Sequence, residues 1–430
     1  MIAIGGSLDI EITGFGASGE GVGRVGGVPV FVPFAAVGDV ARVRITQAKK
    51  AFARGVLEGL VHPAPSRVEP PCPHFSVCGG CVFQHVEYGV QLEAKHERLV
   101  QCLRRIGKQE PGQVELWGAS GGALRYRNKG TFLLGIVDGR VRAGMYAANT
   151  HELVAVGDCL LQKEQVAGAL RAVEAYANAH GVPVGPDGLE SVTIRSANEG
   201  GFGVILNTSL RALPDTEGLA AILGEELPGL AYLCKSGTGD NRLWGEAFLY
   251  EEICGMRFRV SAGSFLQINP VATPLIYEKI AEFAGLGRTD TVMDAYCGIG
   301  ALSLVMARQA KAVYGVEAST VAVEDALLNA RINGDITNAT FECIDADDAV
   351  LEGIDVLVLD PPRKGISQEL VQKILAAEDV GRVVYASCEP STLARDIGLL
   401  SGAYETKRIA MFDSFAQTAH LEAVVLLERK

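Results

Sequence analysis

From about residue 285 onward, short apolar runs alternate with stretches of helical character. The runs are Thr291-Val-Met-Asp, Ala312-Val-Tyr-Gly-Val, Val356-Leu-Val-Leu and Arg382-Val-Val-Tyr-Ala. Strands that are apolar on both faces must be covered on both faces. Their alternation with helices predicts an open parallel α/β sheet with helices on either side. In such a sheet the residues just past the carboxyl ends of the strands line the ligand crevice. Residues suited to chemistry stand at those places: Asp294-Ala-Tyr-Cys-Gly-Ile-Gly-Ala, Glu317, Asp360-Pro-Pro-Arg-Lys-Gly and Ser387-Cys-Glu-Pro.

The glycine loop lets a ligand approach the backbone closely. Glu317, which ends the next strand, suits a pair of ribose hydroxyls. A nicotinamide dinucleotide and S-adenosylmethionine both satisfy that much. The loop is not G-x-G-x-x-G, and an aspartate ahead of the glycines suits a cationic group better than a pyrophosphate. An NAD-linked oxidoreductase is therefore disfavoured; a strand–turn–helix with no ligand is the plain alternative. Cys388 stands where a nucleophile would be useful. A lone cysteine at a strand end is more often packing, but the neighbouring motifs favour chemistry.

Upstream, the chain changes character. Residues 7–60 hold alternating segments such as Asp39-Val-Ala-Arg-Val-Arg-Ile-Thr, with seven glycines between Gly14 and Gly27. That predicts a small β-barrel. Prolines 63, 65, 70, 71 and 73 follow as a linker. Residues 89–106 place Leu92, His96, Leu99, Leu103 and Ile106 at helical spacing. Residues 115–260 read as mixed and mostly β, with a helix near 161–180. The expected domains are 1–62, a barrel; 63–262, a central β-rich domain; and 263–430, the α/β domain. Ten cysteines in 430 residues are too few for a disulfide framework. Cys72, Cys78 and Cys81 are clustered and Cys159 lies downstream, a set of soft donors for zinc or an iron–sulfur cluster. Three close cysteines plus one favour the cluster, because zinc usually takes two close pairs.

Net charge is −12, which argues weakly against nucleic acid as a partner. The distribution is uneven, however. Residues 40–54 hold Arg42, Arg44, Lys49, Lys50 and Arg54 and no acid. Residues 124–147 hold Arg125, Arg127, Lys129, Arg140 and Arg142 against Asp138 alone. Both stretches are expected to touch phosphate, with Tyr126-Arg-Asn-Lys129 reaching a target loop; solvated surface charge is the bland reading. No apolar run is long enough to span a bilayer, and no basic segment followed by an apolar one opens the chain. A cytoplasmic protein with no membrane partner is expected.

Taken together, Asp294-Ala-Tyr-Cys-Gly-Ile-Gly, Asp360-Pro-Pro-Arg-Lys-Gly, Ser387-Cys-Glu-Pro, Thr418-Ala-His-Leu-Glu422 and Ser264-Phe-Leu-Gln267-Ile-Asn-Pro resemble the RNA uracil-5 methyltransferases over essentially the whole chain. The resemblance implies a Rossmann-like class I methyltransferase domain, an amino-terminal TRAM domain of OB-like barrel form, and methylation of uridine at C5. By the same resemblance Cys388 is the nucleophile and Glu422 the base. Gln267, Tyr296, Glu317, Asp345 and Asp360 then bind S-adenosylmethionine, and Cys72, Cys78, Cys81 and Cys159 hold a four-iron, four-sulfur cluster. The cluster and the TRAM domain resemble the ribosomal branch, so 23S ribosomal RNA is the expected substrate, modified by a monomer. Transfer RNA is the alternative, and a catalytically weakened RNA-binding paralogue a further one. Three positions depart from the family pattern: Ala301 and Glu389 stand where asparagine is usual, and Ala416 where proline is. Glu389 is expected to put an anion beside Cys388, with Arg363 or Lys364 available to offset it.

Overall fold

The barrel at the amino terminus follows from strict alternation along its strands. In the computed structural model, which describes every residue except Met1, Asn149, Glu199, 238–240 and Asp335, its strands are β1 (Ser7–Phe15), β2 (Gly21–Val25), β3 (Val28–Val32), β4 (Val40–Ala48) and β5 (Ala53–His62). They close in the order β1-β2-β3-β5-β4. Ala41, Val43 and Ile45 of β4 point inward with Ile10, Ile12, Val30 and Val32, while Arg42 and Arg44 point out. Gly23 is required by closeness: a Cβ there would lie 2.4 Å from the Glu11 carbonyl oxygen. Asp39, fully buried, accepts from the amides of Ala36 and Ala64 and from the Arg67 guanidinium, so it ties the barrel to the chain that leaves it. Burial alone would raise its pKa; those donors hold it low.

The described residues fall into two compact units, Met1–Arg98 with Met145–Val154 and Phe415–His420, and Leu99–Gly144 with Ala155–Ser414 and Leu421–Lys430. Helix α1 (Tyr88–Arg105) is the one expected at 89–106. Leu99 and Leu103 are buried as the spacing predicts, but Ile106 is half exposed. Towards its start the buried positions are Gln91 and Lys95, two polar residues.

The chain after α1 forms two sheets and a hairpin. After β6 (Val114–Trp117), strands β7 (Lys129–Val137), β8 (Arg140–Tyr146), β9 (Leu153–Ala155), β10 (Leu189–Ser196), β11 (Phe202–Thr208), β12 (Leu230–Lys235) and β13 (Arg242–Gly245) form a seven-stranded sheet. Its order is β13-β12-β11-β10-β7-β8-β9, with α2 (Gln165–Ala179) and α3 (Thr216–Glu226) between strands. Strands β14 (Phe248–Ile253) and β15 (Met256–Ser261) pair as a hairpin. Helix α4 (Ala272–Ala284) leads into the α/β domain: β16 (Thr291–Ala295), α5 (Ala301–Ala307), β17 (Ala312–Val316), α6 (Thr320–Ile332), β18 (Ala339–Glu342), β19 (Val356–Leu359), α7 (Gln368–Ala376), β20 (Arg382–Ser387), α8 (Pro390–Leu400), β21 (Tyr404–Phe412) and β22 (Glu422–Arg429). The sheet order is β18-β17-β16-β19-β20-β22-β21-β6. Strands β16 to β20 are parallel, and β22 runs antiparallel to both β20 and β21. All four residues of β19 are fully buried, as a two-face-covered strand requires. The chain leaves β16 to one side for β17 and returns on the other as β19, which makes a switch point between their carboxyl ends.

Candidate active site

Strand register brings the two residues expected to do the chemistry together. Ser387, the last residue of β20, pairs with Ala423 of the antiparallel β22. Cys388 follows Ser387 and Glu422 precedes Ala423, so the two flank this pair, and the Glu422 charge acts on the Cys388 thiol. Asp360 follows β19, which is hydrogen-bonded to β20 on the other side. Three strand ends thus gather a thiol and two carboxyls. Glu422 is buried, and burial together with the Asp360 charge raises its pKa well above the usual carboxylate range. Asp360 is pushed up to about 6 by burial, partly opposed by the Gln267 side chain, whose Nε2 donates to its Oδ2 at 3.1 Å. The Cys388 thiol is pushed up to about 11, first by burial and then by Glu422; the Arg363 guanidinium works against that rise.

Glu389 has a structural role that the sequence did not signal. It caps α8, with Oε1 accepting from the Ser391 amide at 3.3 Å and the Ser391 hydroxyl at 2.8 Å. Among the charges that act on Cys388, Glu422 and Asp360 raise its pKa and Arg363 lowers it.

Gln267 sits on a segment pinned at several points, none of which the sequence signals. Asn128 donates its side-chain amide to the Gln267 carbonyl at 3.0 Å and its backbone N–H to the Ile268 carbonyl. The buried Arg195 guanidinium donates to the carbonyls of Ser261 and Ser264. Asp325, also buried, accepts from the Ser261 amide and from the hydroxyls of Ser261 and Ser264. Asn128 belongs to the motif expected to reach RNA. Here Tyr126 and Asn128 are buried, and Asn128 bonds to the segment that carries Gln267.

The remaining expected contacts form a second group around the glycine loop. Tyr296 has a left-handed backbone, φ 71°, and its amide donates to the Val316 carbonyl. Burial and the charges of Asp347 and Asp345 push its hydroxyl up to about 12. Glu317 accepts from the Gly298 amide at 3.3 Å and the Ser319 amide at 2.8 Å, which ties the end of β17 to the loop. Gly300 caps α5 with φ 77°, and a Cβ there would meet the Phe341 ring at 2.8 Å. Asp345 is exposed and accepts from the Asp347 amide. Asp294 links the two groups. It is buried within β16, takes the Ser303 hydroxyl at 2.5 Å, and is pushed up to about 7 by burial, with Asp360 and Glu317 adding to the rise. Asp294 is buried and Asp360 partly buried, and their hydrogen-bond partners include a hydroxyl and an amide. That arrangement fits a ligand bearing positive charge.

The cysteines stand differently. Cys78 Sγ accepts the Gly80 amide at 3.4 Å, and Cys72 donates its amide to Gln84. Among the described residues no group of three or more His, Cys, Asp or Glu side chains is arranged to hold a metal ion. The ligand set Cys72, Cys78, Cys81 and Cys159 therefore rests on its spacing, its soft donors and the resemblance.

Much of the basic charge is already paired. Arg42 pairs with Asp9, Arg44 with Glu58, Arg54 with Glu20, Arg125 with Asp158 and Arg142 with Glu174. Lys49 and Lys50 are exposed and make no ion pair among the described residues; Lys49 lies over the Phe52 ring. Among the described residues no helix is long and apolar enough to cross a membrane.

The methyltransferase small domain profile matches residues 270–379, so the doubly wound sheet with its glycine loop is a class I methyltransferase domain. The TRAM domain profile matches residues 4–57, and that of the tRNA (uracil-5-)-methyltransferases matches residues 342–430. An uncharacterized RNA methyltransferase of Halalkalibacterium halodurans is 36% identical, with 98% of this chain and 97% of that one aligned. One of Listeria monocytogenes is 35% identical, with 98% and 97% aligned. The chain belongs to the RNA uracil-5 methyltransferase family, a group of S-adenosylmethionine-dependent enzymes. Its fold is that of a Pyrococcus abyssi tRNA (uracil-54, C5)-methyltransferase solved with S-adenosyl-L-homocysteine: TM-score 0.76, 24% identity, 98% of this chain and 100% of that one covered.

Proposed function

We propose that this protein methylates C5 of a uridine in RNA, with 23S ribosomal RNA as the substrate, and that Cys388 and Glu422 carry the reaction. The observation behind this reading is their place on either side of the Ser387–Ala423 pair that ends the β20–β22 ladder, with the charges of Glu422 and Asp360 acting on the Cys388 thiol. C5 of uracil is a weak nucleophile. The Cys388 thiolate attacks C6, a Sγ–C6 bond forms, and the C5=C6 electrons move to give an enolate nucleophilic at C5. S-adenosylmethionine, when bound, supplies an electrophilic methyl group on a sulfonium. Glu422 then takes the C5 proton, the C5=C6 bond re-forms, and the thiolate leaves. A buried carboxylate with a raised pKa is a stronger base than a solvated one, which suits removal of a carbon-bound proton. Gln267, Tyr296, Glu317, Asp345 and Asp360 are the residues that would hold the methyl donor. Arg363 favours the thiolate form of Cys388.

The TRAM domain and the family support RNA as the partner. Transfer RNA is the alternative, the substrate in the name of the Pyrococcus enzyme. Retention of both Cys388 and Glu422 argues against a weakened paralogue. Cys72, Cys78, Cys81 and Cys159 are proposed to bind a four-iron, four-sulfur cluster, because their donors are soft and Cys78 already presents its sulfur as an acceptor. Protein purified without oxygen should then carry about four irons per chain; stoichiometric zinc without iron would refute the cluster. For the activity, unmodified ribosomal and transfer RNA are incubated with enzyme and S-adenosylmethionine and digested to nucleosides. 5-Methyluridine should appear in ribosomal RNA, and Cys388→Ala should abolish it. Product in transfer RNA alone would reassign the substrate; no 5-methyluridine in either would overturn the reading.

A further inference from the structure

Strand β15 pairs with β14 along one edge, and among the described residues no strand pairs with the other. An edge strand presents every second N–H and C=O outward, and such groups are costly to bury unpaired. Side chains of α6 take the place of a partner strand there. Asp325 Oδ2 accepts the Ser261 amide at 2.9 Å. Asn329 Oδ1 accepts the Arg259 amide at 2.7 Å, and its Nδ2 donates to the Arg259 carbonyl at 3.1 Å. Asn333, which caps the end of α6, repeats that exchange with Arg257 at 3.0 and 2.8 Å. Four residues of helix rise about 6 Å and two of strand about 6.6 Å, so side chains at every fourth helical position keep step with alternate residues of the strand. Two members of this ladder reach further. Asp325 also accepts the Ser264 hydroxyl at 2.7 Å, three residues before Gln267. Asn329, fully buried, gives its other Nδ2 proton to the Ile299 carbonyl at 3.0 Å, between Gly298 and Gly300 of the glycine loop.

We infer that Asp325, Asn329 and Asn333 are positioning residues for the methyl donor: one face of α6 fixes both the segment that carries Gln267 and the glycine loop. This rests on Gln267 and the glycine loop holding S-adenosylmethionine. The residue types fit the work. At 329 two carbonyls need donors and one amide needs an acceptor, and a primary amide supplies all three. At 325 two hydroxyls and an amide converge as donors, and a carboxylate accepts them all. Asp325 is 1% exposed and Asn329 0%, places that an apolar residue would fill more cheaply if filling were all they did. Among the described residues none of the hydrogen bonds of these three side chains goes to the strand ends that carry Cys388 and Glu422. Their role is therefore in donor binding and not in the ionisation of the thiol.

The test uses the full-length protein, with binding of S-adenosylhomocysteine followed by calorimetry. Asn329→Asp keeps the shape but puts an acceptor where Nδ2 donated to two carbonyls. Ser264→Ala is the milder variant and removes one hydroxyl that Asp325 accepts. Kd should rise about tenfold or more in Asn329→Asp and a few-fold in Ser264→Ala, the scale of two hydrogen bonds lost against one. Hydrogen exchange should quicken over 257–267 in both variants, and over 297–300 in Asn329→Asp alone. The pH midpoint of Cys388 alkylation should hold in both, and Ser264→Ala should weaken binding no further in a Gln267→Ala background. A Kd unchanged in both variants overturns the inference. So does a raised Kd accompanied by a displaced alkylation midpoint, the mark of a general loosening. Should Asn329→Asp fail to fold, Ser264→Ala decides alone. If Gln267→Ala weakens binding and Ser264→Ala does not, the inference fails and the donor assignment stands. If Gln267→Ala binds as tightly as the wild type, the donor assignment fails and takes the inference with it.

Discussion

The ionisation of Cys388 can be shifted in both directions by single substitutions at its neighbours. With its pKa near 11, the free protein at pH 8 holds Cys388 as thiolate in about one molecule in a thousand. Adjacent antiparallel strands set opposed Cα atoms about 5 Å apart. Two charges about 6 Å apart at an effective dielectric of about 20 interact by about 3 kcal/mol, or about two pKa units. Cys388 is half buried, so solvent screening reduces this to about one unit, a tenfold change in thiolate. Glu422→Gln should therefore lower the midpoint of Cys388 alkylation, and Arg363→Met should raise it. Iodoacetamide labelling from pH 7 to 10.5, with the Cys388 peptide quantified by mass spectrometry, reads both shifts apart from the other nine cysteines. An unchanged or higher midpoint in Glu422→Gln, or a lower one in Arg363→Met, would refute the electrostatic account of the site.

Glu389→Asn should leave that midpoint unchanged, because the carboxylate caps α8 and asparagine caps as well; a shift of a full unit in the same labelling assay would return Glu389 to the side of the nucleophile. Asp294 holds its proton up to about pH 7 when folded but only to about 3.8 when unfolded, so its contribution to stability is full below pH 3.8 and is lost as pH rises through 7. Asp294→Asn should accordingly flatten the fall in melting temperature between pH 4 and pH 8, leaving the part owed to Asp360 and Glu422; an unaltered slope would contradict the burial argument. Lys49→Ala with Lys50→Ala should reduce the salt dependence of RNA binding by roughly one unit for each phosphate no longer neutralised, whereas Arg42→Ala should change it little because Arg42 is already paired with Asp9.

The parts of this protein that could be read from its sequence are those governed by periodicity and by strand-end position. Val356-Leu-Val-Leu announces a strand covered on both faces, and the residues that follow it and its neighbours must then face the crevice. That logic alone places Asp360, Cys388 and Glu317 at strand ends. The approach of Cys388 to Glu422 was not legible, because it depends on β22 returning antiparallel beside β20, and register is a tertiary property. The supports were hidden for a related reason. Asn128, Arg195 and Asp325 are far apart in sequence and polar, and polar residues are ordinarily read as surface. Gln91 and Lys95 interrupt an amphipathic helix in the same way, buried where the 3.6-residue period would put apolar side chains. Paired charges were equally invisible: Arg42 and Asp9 face each other only once β1 and β4 close the barrel.

The division of labour between Cys388 and Glu422 is tested most directly by trapping the reaction halfway. Glu422→Gln is incubated with unmodified RNA and S-adenosylmethionine, denatured, and digested with protease and nuclease, and the mass of the Cys388 peptide is recorded. If the carboxylate removes the C5 proton, that peptide will carry a nucleotide whose uracil has already gained one methyl group, since attack and transfer precede the blocked step. A Glu422→Gln enzyme that releases 5-methyluridine at the wild-type rate with no adduct, or whose adduct lies on a cysteine other than Cys388, would contradict the mechanism.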